Sequence, residues 1–157
     1  MHRNLDPGEF RKLIEAKGVK SIFLLTGESS FQQSGGKEFV EKSVRPYVSV
    51  HYVKRNSLPE FEEVVSTVDL IRDVDIDLVL AIGGGAVLDL AKSINLFQSL
   101  SSTEIEDLMN GGANNCELVP LIAIPTTAGS GSEETHFAVV YREGVKYSLT
   151  HPGLLPT

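Results

Sequence analysis

Cysteine is nearly missing. Cys116 stands alone in 157 residues, which excludes an internal disulfide framework and a multi-cysteine metal centre. It lies in the loop-like stretch Gly111-Gly112-Ala113-Asn114-Asn115-Cys116 with no base beside it, so it reads as an incidental thiol. Positive charge is scarce: 14 Lys and Arg against 21 Asp and Glu leave a net charge of −7. Non-specific nucleic-acid binding needs clustered cations to displace counterions, so that partner class is excluded. No apolar run approaches the roughly 20 residues that span a bilayer. The longest, residues 78–82, suits a buried strand instead. Residues 1–11 are polar and charged, unlike a secretory leader, and a reducing, cytoplasmic setting is expected. The four histidines, His2, His51, His136 and His151, have none of the spacings of metal ligands on a helix. Neither G-x-G-x-x-G nor G-x-x-x-x-G-K-[ST] occurs, so the two commonest phosphate fingerprints are also missing.

What remains is ordinary globular material, 41% hydrophobic and 22% charged, expected to form one domain over residues 1–157. Short β-type runs alternate with helix-period runs, the pattern of a mostly parallel sheet covered by helices on both faces. Asp6-Pro7-Gly8-Glu9 opens a helix, with a capping Asp, Pro at the first helical position and Glu three residues after the cap. Strands are expected at residues 21–25, 48–53, 77–82 and 121–124, the last ended by Pro125. Helices are expected within 36–44, after Ser57-Leu58-Pro59-Glu60, and over 88–97. In the second of these, Phe61, Val64, Val65, Val68 and Ile71 recur at spacings of three and four, as one buried stripe. Residues 138–141 and 146–149 flank Arg142-Glu143-Gly144 as a hairpin. An exposed N-terminal strand would leave pairing across a homodimer open.

Two glycine-rich turns carry the chemistry. After the apolar run Leu78-Val79-Leu80-Ala81-Ile82 comes Gly83-Gly84-Gly85-Ala86, with Asp89 and Lys92 on the helix that follows. Three glycines between a buried strand and a helix let the backbone turn sharply and approach a ligand, and the helix start favours a phosphate. The plainer reading is a tight turn with no ligand. Asp89 reads as an anchor for the loop, and Lys92 as a helix residue near enough to attract phosphate. The second turn is Pro125-Thr126-Thr127-Ala128-Gly129-Ser130-Gly131-Ser132-Glu133, which packs hydroxyls and glycines after another buried strand. Alone it is as easily a surface loop. Both should emerge at the carboxyl ends of their strands, where α/β sheets bind ligands.

Gly83-Gly84-Gly85-Ala86-Val87-Leu88-Asp89-Leu90-Ala91-Lys92 resembles the G-G-G-S-x-x-D-x-A-K signature of iron-containing (group III) alcohol dehydrogenases. Residues 125–133 resemble their P-T-T-A-G-T-G-S-E signature, and the likeness extends over residues 22–156. It implies a Rossmann-like domain binding NAD or NADP, with the pyrophosphate on Gly83, Gly84, Gly85, Ala86 and Val87. Thr126 and Thr127 would lie along the cofactor, with Thr135, Phe137, Tyr141 and Lys146 lining it further on. Gly27-Glu28-Ser29-Ser30 would form a small-residue turn at the adenosine ribose. Gly27, Ser29 and Ser30 there favour NADP, because small hydroxyl residues accept a 2′-phosphate that a carboxylate repels; Glu28 reverses this if it turns inward.

Ala86 departs from the signature Ser and removes a hydroxyl contact to phosphate. Leu58-Pro59 stands where many members have Asn-Pro, at an adenine-side contact. The resemblance also implies a metal, iron or zinc, held by one Asp and three His in a helical second domain that this chain does not reach. The full protein would then interconvert a small alcohol and aldehyde, this chain supplying cofactor binding and lacking activity alone. Residues 135–141 with Lys146-Tyr147-Ser148 look like members that reduce phosphonoacetaldehyde. A direct catalytic role for His136 or Asp89 is not expected. A dehydroquinate-synthase-like domain and a free-standing nucleotide-binding module are the alternatives.

Overall fold

A computed structural model describes residues 6–157; His2 and the first part of the polar N-terminal stretch lie outside the described residues. Helix α1 (Pro7–Ala16) begins as its sequence dictates: Asp6 caps it by accepting from the Glu9 amide at 2.9 Å, and Pro7 fills the first helical position.

Four strands, β1 (Ile22–Gly27), β2 (Val48–Lys54), β3 (Leu78–Gly83) and β4 (Leu121–Pro125), form a parallel sheet in the order β2-β1-β3-β4. After β1 the chain forms α2 (Glu28–Gln33) and α3 (Gly36–Ser43), which pack with α1 on one face. After β2 it forms α4 (Phe61–Ile71), and after β3 come α5 (Gly85–Phe97) and α6 (Ser102–Met109), all on the other face. The hairpin of β5 (Phe137–Arg142) and β6 (Val145–Thr150) lies over α5, which is thereby sandwiched between hairpin and sheet. A helix enclosed in this way is apolar nearly all round, and 87–88 and 90–97 are all buried.

Because both faces are covered, β1 and β3 read as unbroken apolar runs rather than alternating ones. Phe23, Leu25, Val79 and Ala81 point to α4 and α5; Ile22, Leu24, Leu78, Leu80 and Ile82 point to Phe10, Ile14, Phe31 and Val40 beneath. The chain leaves β1 toward one face and β3 toward the other. That places a topological switch, and the crevice it opens, between the carboxyl ends of these two neighbouring strands. The two-residue hairpin turn holds Glu143 at φ 52° and Gly144 at φ 77°, the doubly left-handed geometry whose twist matches the strands it joins.

Several expectations need correction. The segment after β1 is not a small-residue turn: Gly27 is the N-cap and residues 28–33 are helical, a six-residue element with one buried side chain, Phe31, too short to show a period. Helix α6 was not expected, although Ser101 and Glu104 form the reciprocal capping box that marks its start. Val65 is not part of the buried stripe of α4. It is exposed, and Thr67 is buried instead, its hydroxyl bonded to the Glu63 carbonyl. The first strand of the described residues is also no edge: β1 is flanked on both sides, and the free edges belong to β2 and β4. On β4 the Thr157 amide donates to the Leu121 carbonyl at 2.9 Å, and no strand among the described residues pairs beyond that point. Among the described residues no helix is long and apolar enough to cross a membrane.

One ion pair is deeply buried. At the end of β2 the Lys54 ammonium meets the Glu63 carboxylate of α4 at 2.5 Å, their side chains 1% and 7% exposed. Lys54 also donates to the Leu58 carbonyl at 2.7 Å, and the Tyr52 hydroxyl to Glu63 at 3.1 Å, so the pair fixes the loop that leads into α4. Removing one partner strands the other charge. Glu63→Leu is expected to cost about 3–5 kcal/mol in urea unfolding, while Lys54→Met/Glu63→Leu recovers most of that loss. A double variant no more stable than the single one would contradict this account.

Candidate nucleotide-binding site

The crevice between β1 and β3 is floored by glycine. Gly27 closes β1 and Gly83 closes β3. A Cβ on Gly83 would come within 2.5 to 2.7 Å of three Val87 side-chain atoms, so the strand can turn into α5 here only without a side chain. Gly84 is the N-cap of α5, in extended backbone with no side-chain cap. The amides of Val87 and Leu88 turn back to its carbonyl at 2.9 and 3.1 Å. Those of Gly85 and Ala86 lie in the first turn, where a helix has no carbonyl of its own to offer them. They carry the positive end of a 13-residue helix whose axis starts at the crevice.

The second loop lies against this turn. Thr126 donates its amide to the Gly83 carbonyl at 2.9 Å, continuing the β3–β4 ladder by one rung. A Cβ on Gly84 would meet Thr127 Oγ1 at 3.1 Å, and one on Gly85 would meet Ser130 Cβ at 2.8 Å. Thr127 and Ser130 thus stand directly over the two glycines, with their own surfaces exposed. Thr126 Oγ1 is buried and has no hydrogen-bond partner. It lies on the Ile124 side of β4, in the cleft with Gly36 and Phe39, so the hydroxyls that stand at the uncapped amides are those of Thr127 and Ser130.

Two groups on α5 hold the loop. Asp89 Oδ1 accepts from the Ser132 hydroxyl at 2.7 Å, so it anchors a loop, but the second one and not the glycine turn it follows. Burial pushes its carboxyl up, against the bonds from Ser132 and the Val139 backbone and the nearby Lys92 charge, which pull it down. Lys92 does not face the phosphate position. It is fully buried, and its Nζ donates to the carbonyls of Ser132, Thr135 and Phe137 at 2.6, 2.7 and 3.0 Å. Burial lowers its pKa, against the neighbouring carboxylates of Asp89 and Glu133, which raise it. The i, i+3 spacing of Asp89 and Lys92 put both on one face of the helix, a signal present in the sequence.

The structure therefore gathers Gly27, Gly83, Gly84, Gly85, Ala86, Val87, Thr126 and Thr127 at the crevice, and adds Ser130, which the sequence reading had not singled out. Ser30 lies in the first turn of α2 with its hydroxyl against Gly27, and Ser29 is exposed beside it. Glu28 turns toward Arg55 at the end of β2, 3.5 Å away. Thr135 commits its hydroxyl inward, to Ser132 and Lys92. Phe137, Tyr141 and Lys146 share the face of the hairpin turned away from the core, Tyr141 directly opposite Lys146. They follow the second loop through the Ser132–Glu134 turn, and Lys146 lies near enough to Asp89 of α5 to act on its charge.

Other candidates fall elsewhere. Among the described residues, no group of three or more His, Cys, Asp or Glu side chains could hold a metal ion. His51 of β2 bonds the Thr26 hydroxyl of β1, His151 accepts from the Gly153 amide through Nδ1, and His136 is exposed on the way into β5. Burial raises the Cys116 pKa, the opposite of an activated thiol.

This architecture has relatives. The chain is 32% identical over 146 residues to the probable alcohol dehydrogenase EutG of Escherichia coli, and 38% identical over 147 residues to long-chain-alcohol dehydrogenase 1 of Geobacillus thermodenitrificans. Each alignment covers 90% of this chain but 36% and 37% of the relative, so the chain spans a little over a third of their length. Among solved structures, sulfoacetaldehyde reductase from Bifidobacterium kashiwanohense in complex with NAD+ superimposes with a TM-score of 0.79 at 26% identity, over 95% of this chain and 40% of the reductase. The iron-containing alcohol dehydrogenase of Thermococcus thioreducens gives 0.76 at 25%, over 96% of this chain and 42% of that one. The family model for iron-containing alcohol dehydrogenase matches residues 7–157, and the chain belongs to that family.

Proposed function

We propose that this chain binds a nicotinamide dinucleotide across the β1/β3 crevice, and is the cofactor-binding part of an enzyme that interconverts a small alcohol and aldehyde. One observation carries the reading: an uncapped helix start, at glycines whose Cβ positions face the exposed Thr127 and Ser130. The pyrophosphate would take the amides of Gly85 and Ala86, with Val87 filling the floor, and Thr126 and Thr127 would donate along the chain of the cofactor. The crevice fits the group. The bound dinucleotide supplies the hydride, while the protein fixes where it is presented. The described residues offer no ligand set for the family's metal.

Ser29 and Ser30 beside Gly27 would meet the adenosine ribose, and Glu28 engages Arg55 instead of facing the crevice. Small hydroxyl residues there favour NADP, and Arg55, beside Glu28, would be the cation to meet a 2′-phosphate. Phe137, Tyr141 and Lys146 would extend the contact surface along the hairpin. A short aldehyde with an anionic head is the favoured substrate class. The signature-flanking residues resemble phosphonoacetaldehyde reducers, and the solved neighbour named above reduces sulfoacetaldehyde.

Gly84→Asp tests the site, because fold and function should respond differently. Gly84 has φ −77° and ψ 178°, which any residue adopts, and Asp is a better N-cap than Gly by a few tenths of a kcal/mol. The variant should fold with a melting temperature close to wild type, the exposed Thr127 side chain yielding to the new Cβ, yet show no calorimetric binding of NADH or NADPH, because its carboxylate occupies the phosphate position. Retained binding in a folded variant would rule out this pyrophosphate site. Arg55→Ala should weaken NADPH severalfold while leaving NADH unchanged; equal loss of both would remove Arg55 from cofactor selection.

A further inference from the structure

An ammonium group carries three protons, and at Lys92 three backbone carbonyls take them: Ser132 at 2.6 Å, Thr135 at 2.7 Å and Phe137 at 3.0 Å. Thr135 Oγ1 lies a further 3.2 Å from the nitrogen. No proton is left for a phosphate. Burying a lysine charge is costly before its hydrogen bonds are counted, and a leucine would fill a helix interior without that cost. What the cation alone provides is convergence: it draws three successive parts of one loop onto a single point of α5. Asp89, one turn earlier on the same face, adds a fourth attachment through the Ser132 hydroxyl at 2.7 Å.

The consequence is geometric. The N-terminus of α5 presents the amides of Gly85 and Ala86, and the middle of the same helix grips the loop that stands over them. Thr127 and Ser130 face Gly84 and Gly85 from that loop. The gap between amides and hydroxyls is therefore set within one rigid helix and not by the flexible backbone of Gly129 and Gly131, both in the left-handed region. We propose that Lys92, with Asp89, is a positioning residue for the dinucleotide: it touches no cofactor atom, and holds the hydroxyl loop at the spacing a pyrophosphate requires. This rests on the nucleotide-binding reading above and adds the residue that makes the site rigid before the ligand arrives.

The test compares Lys92→Met, Lys92→Arg and Ser132→Ala with wild type in the full 157-residue chain. It uses calorimetric titration with NADH and NADPH, thermal melting, and hydrogen exchange without ligand. Lys92→Met should speed exchange at residues 129–137 while β1 and β3 stay protected, and should raise Kd on the order of tenfold or more. Lys92→Arg, which keeps a charge and a set of donors, should recover part of the affinity. Ser132→Ala leaves the ammonium and all three carbonyls in place and should raise Kd severalfold, so it decides the matter if Lys92→Met does not fold. If wild type binds dinucleotide and the folded variants bind it with the same Kd, the positioning role is overturned and the cofactor reading stands. If wild type binds neither dinucleotide, the cofactor reading fails and the positioning role falls with it.

Discussion

Everything in this chain is arranged around two adjacent strands that must be buried on both faces. β1 and β3 present apolar side chains above and below, so helices have to cover each side, and the connections that supply them leave in opposite directions. Between those departures no helix can lie over the strand ends. The crevice is therefore a by-product of packing before it is a binding site. It also determines what can line it: chain ends just leaving a strand, which means backbone amides, glycine and small hydroxyl residues. An anion that can use amides on one side and hydroxyls on the other suits this setting better than a cation or an apolar ligand.

The same packing explains how a loop rich in glycine and serine can be ordered. Such a loop has little side-chain volume to bury and much backbone freedom to lose. Here order is imported from α5, a helix so enclosed that even its lysine is inaccessible. Two groups of charged side chains act as such tethers. One is Lys92 with Asp89 beneath the hydroxyl loop. The other is Lys54 with Glu63 beneath the loop that precedes α4. The two meet across the fold, because the Tyr141 amide of β5 donates to the Pro59 carbonyl at 2.8 Å. Arg142 reinforces that seam, stacked over the Phe61 ring and paired with Glu106.

The parts of this design that were legible in the sequence are those with a local signature. Strand β3 announced itself by an unbroken apolar run, the turn after it by three glycines, α1 by its cap, and the hairpin by a turn that demands left-handed residues. Asp89 as a loop anchor followed from its place one turn into the helix, though not which loop it holds. What escaped had its cause far away in the chain. Nothing near Lys92 says that its ammonium is consumed by residues 40 to 45 positions later. Val65 fits a helical stripe by spacing, but α5 and the sheet cover only part of that arc. Helix α2 was hidden by its brevity, since six residues around one Phe give no period to read. The interior position of β1 is likewise a matter of strand order, which local pattern does not encode.

The outer side of β4 has a different bearing on the molecule. Its first carbonyl is taken by Thr157, and by the alternation of a parallel ladder Ile122 and Ile124 turn their backbone groups to β3, which leaves Ala123 facing outward and Pro125 with a carbonyl but no amide. A strand laid on this edge would lengthen the sheet on the opposite side of β3 from the β1/β3 crevice, and so without entering the site.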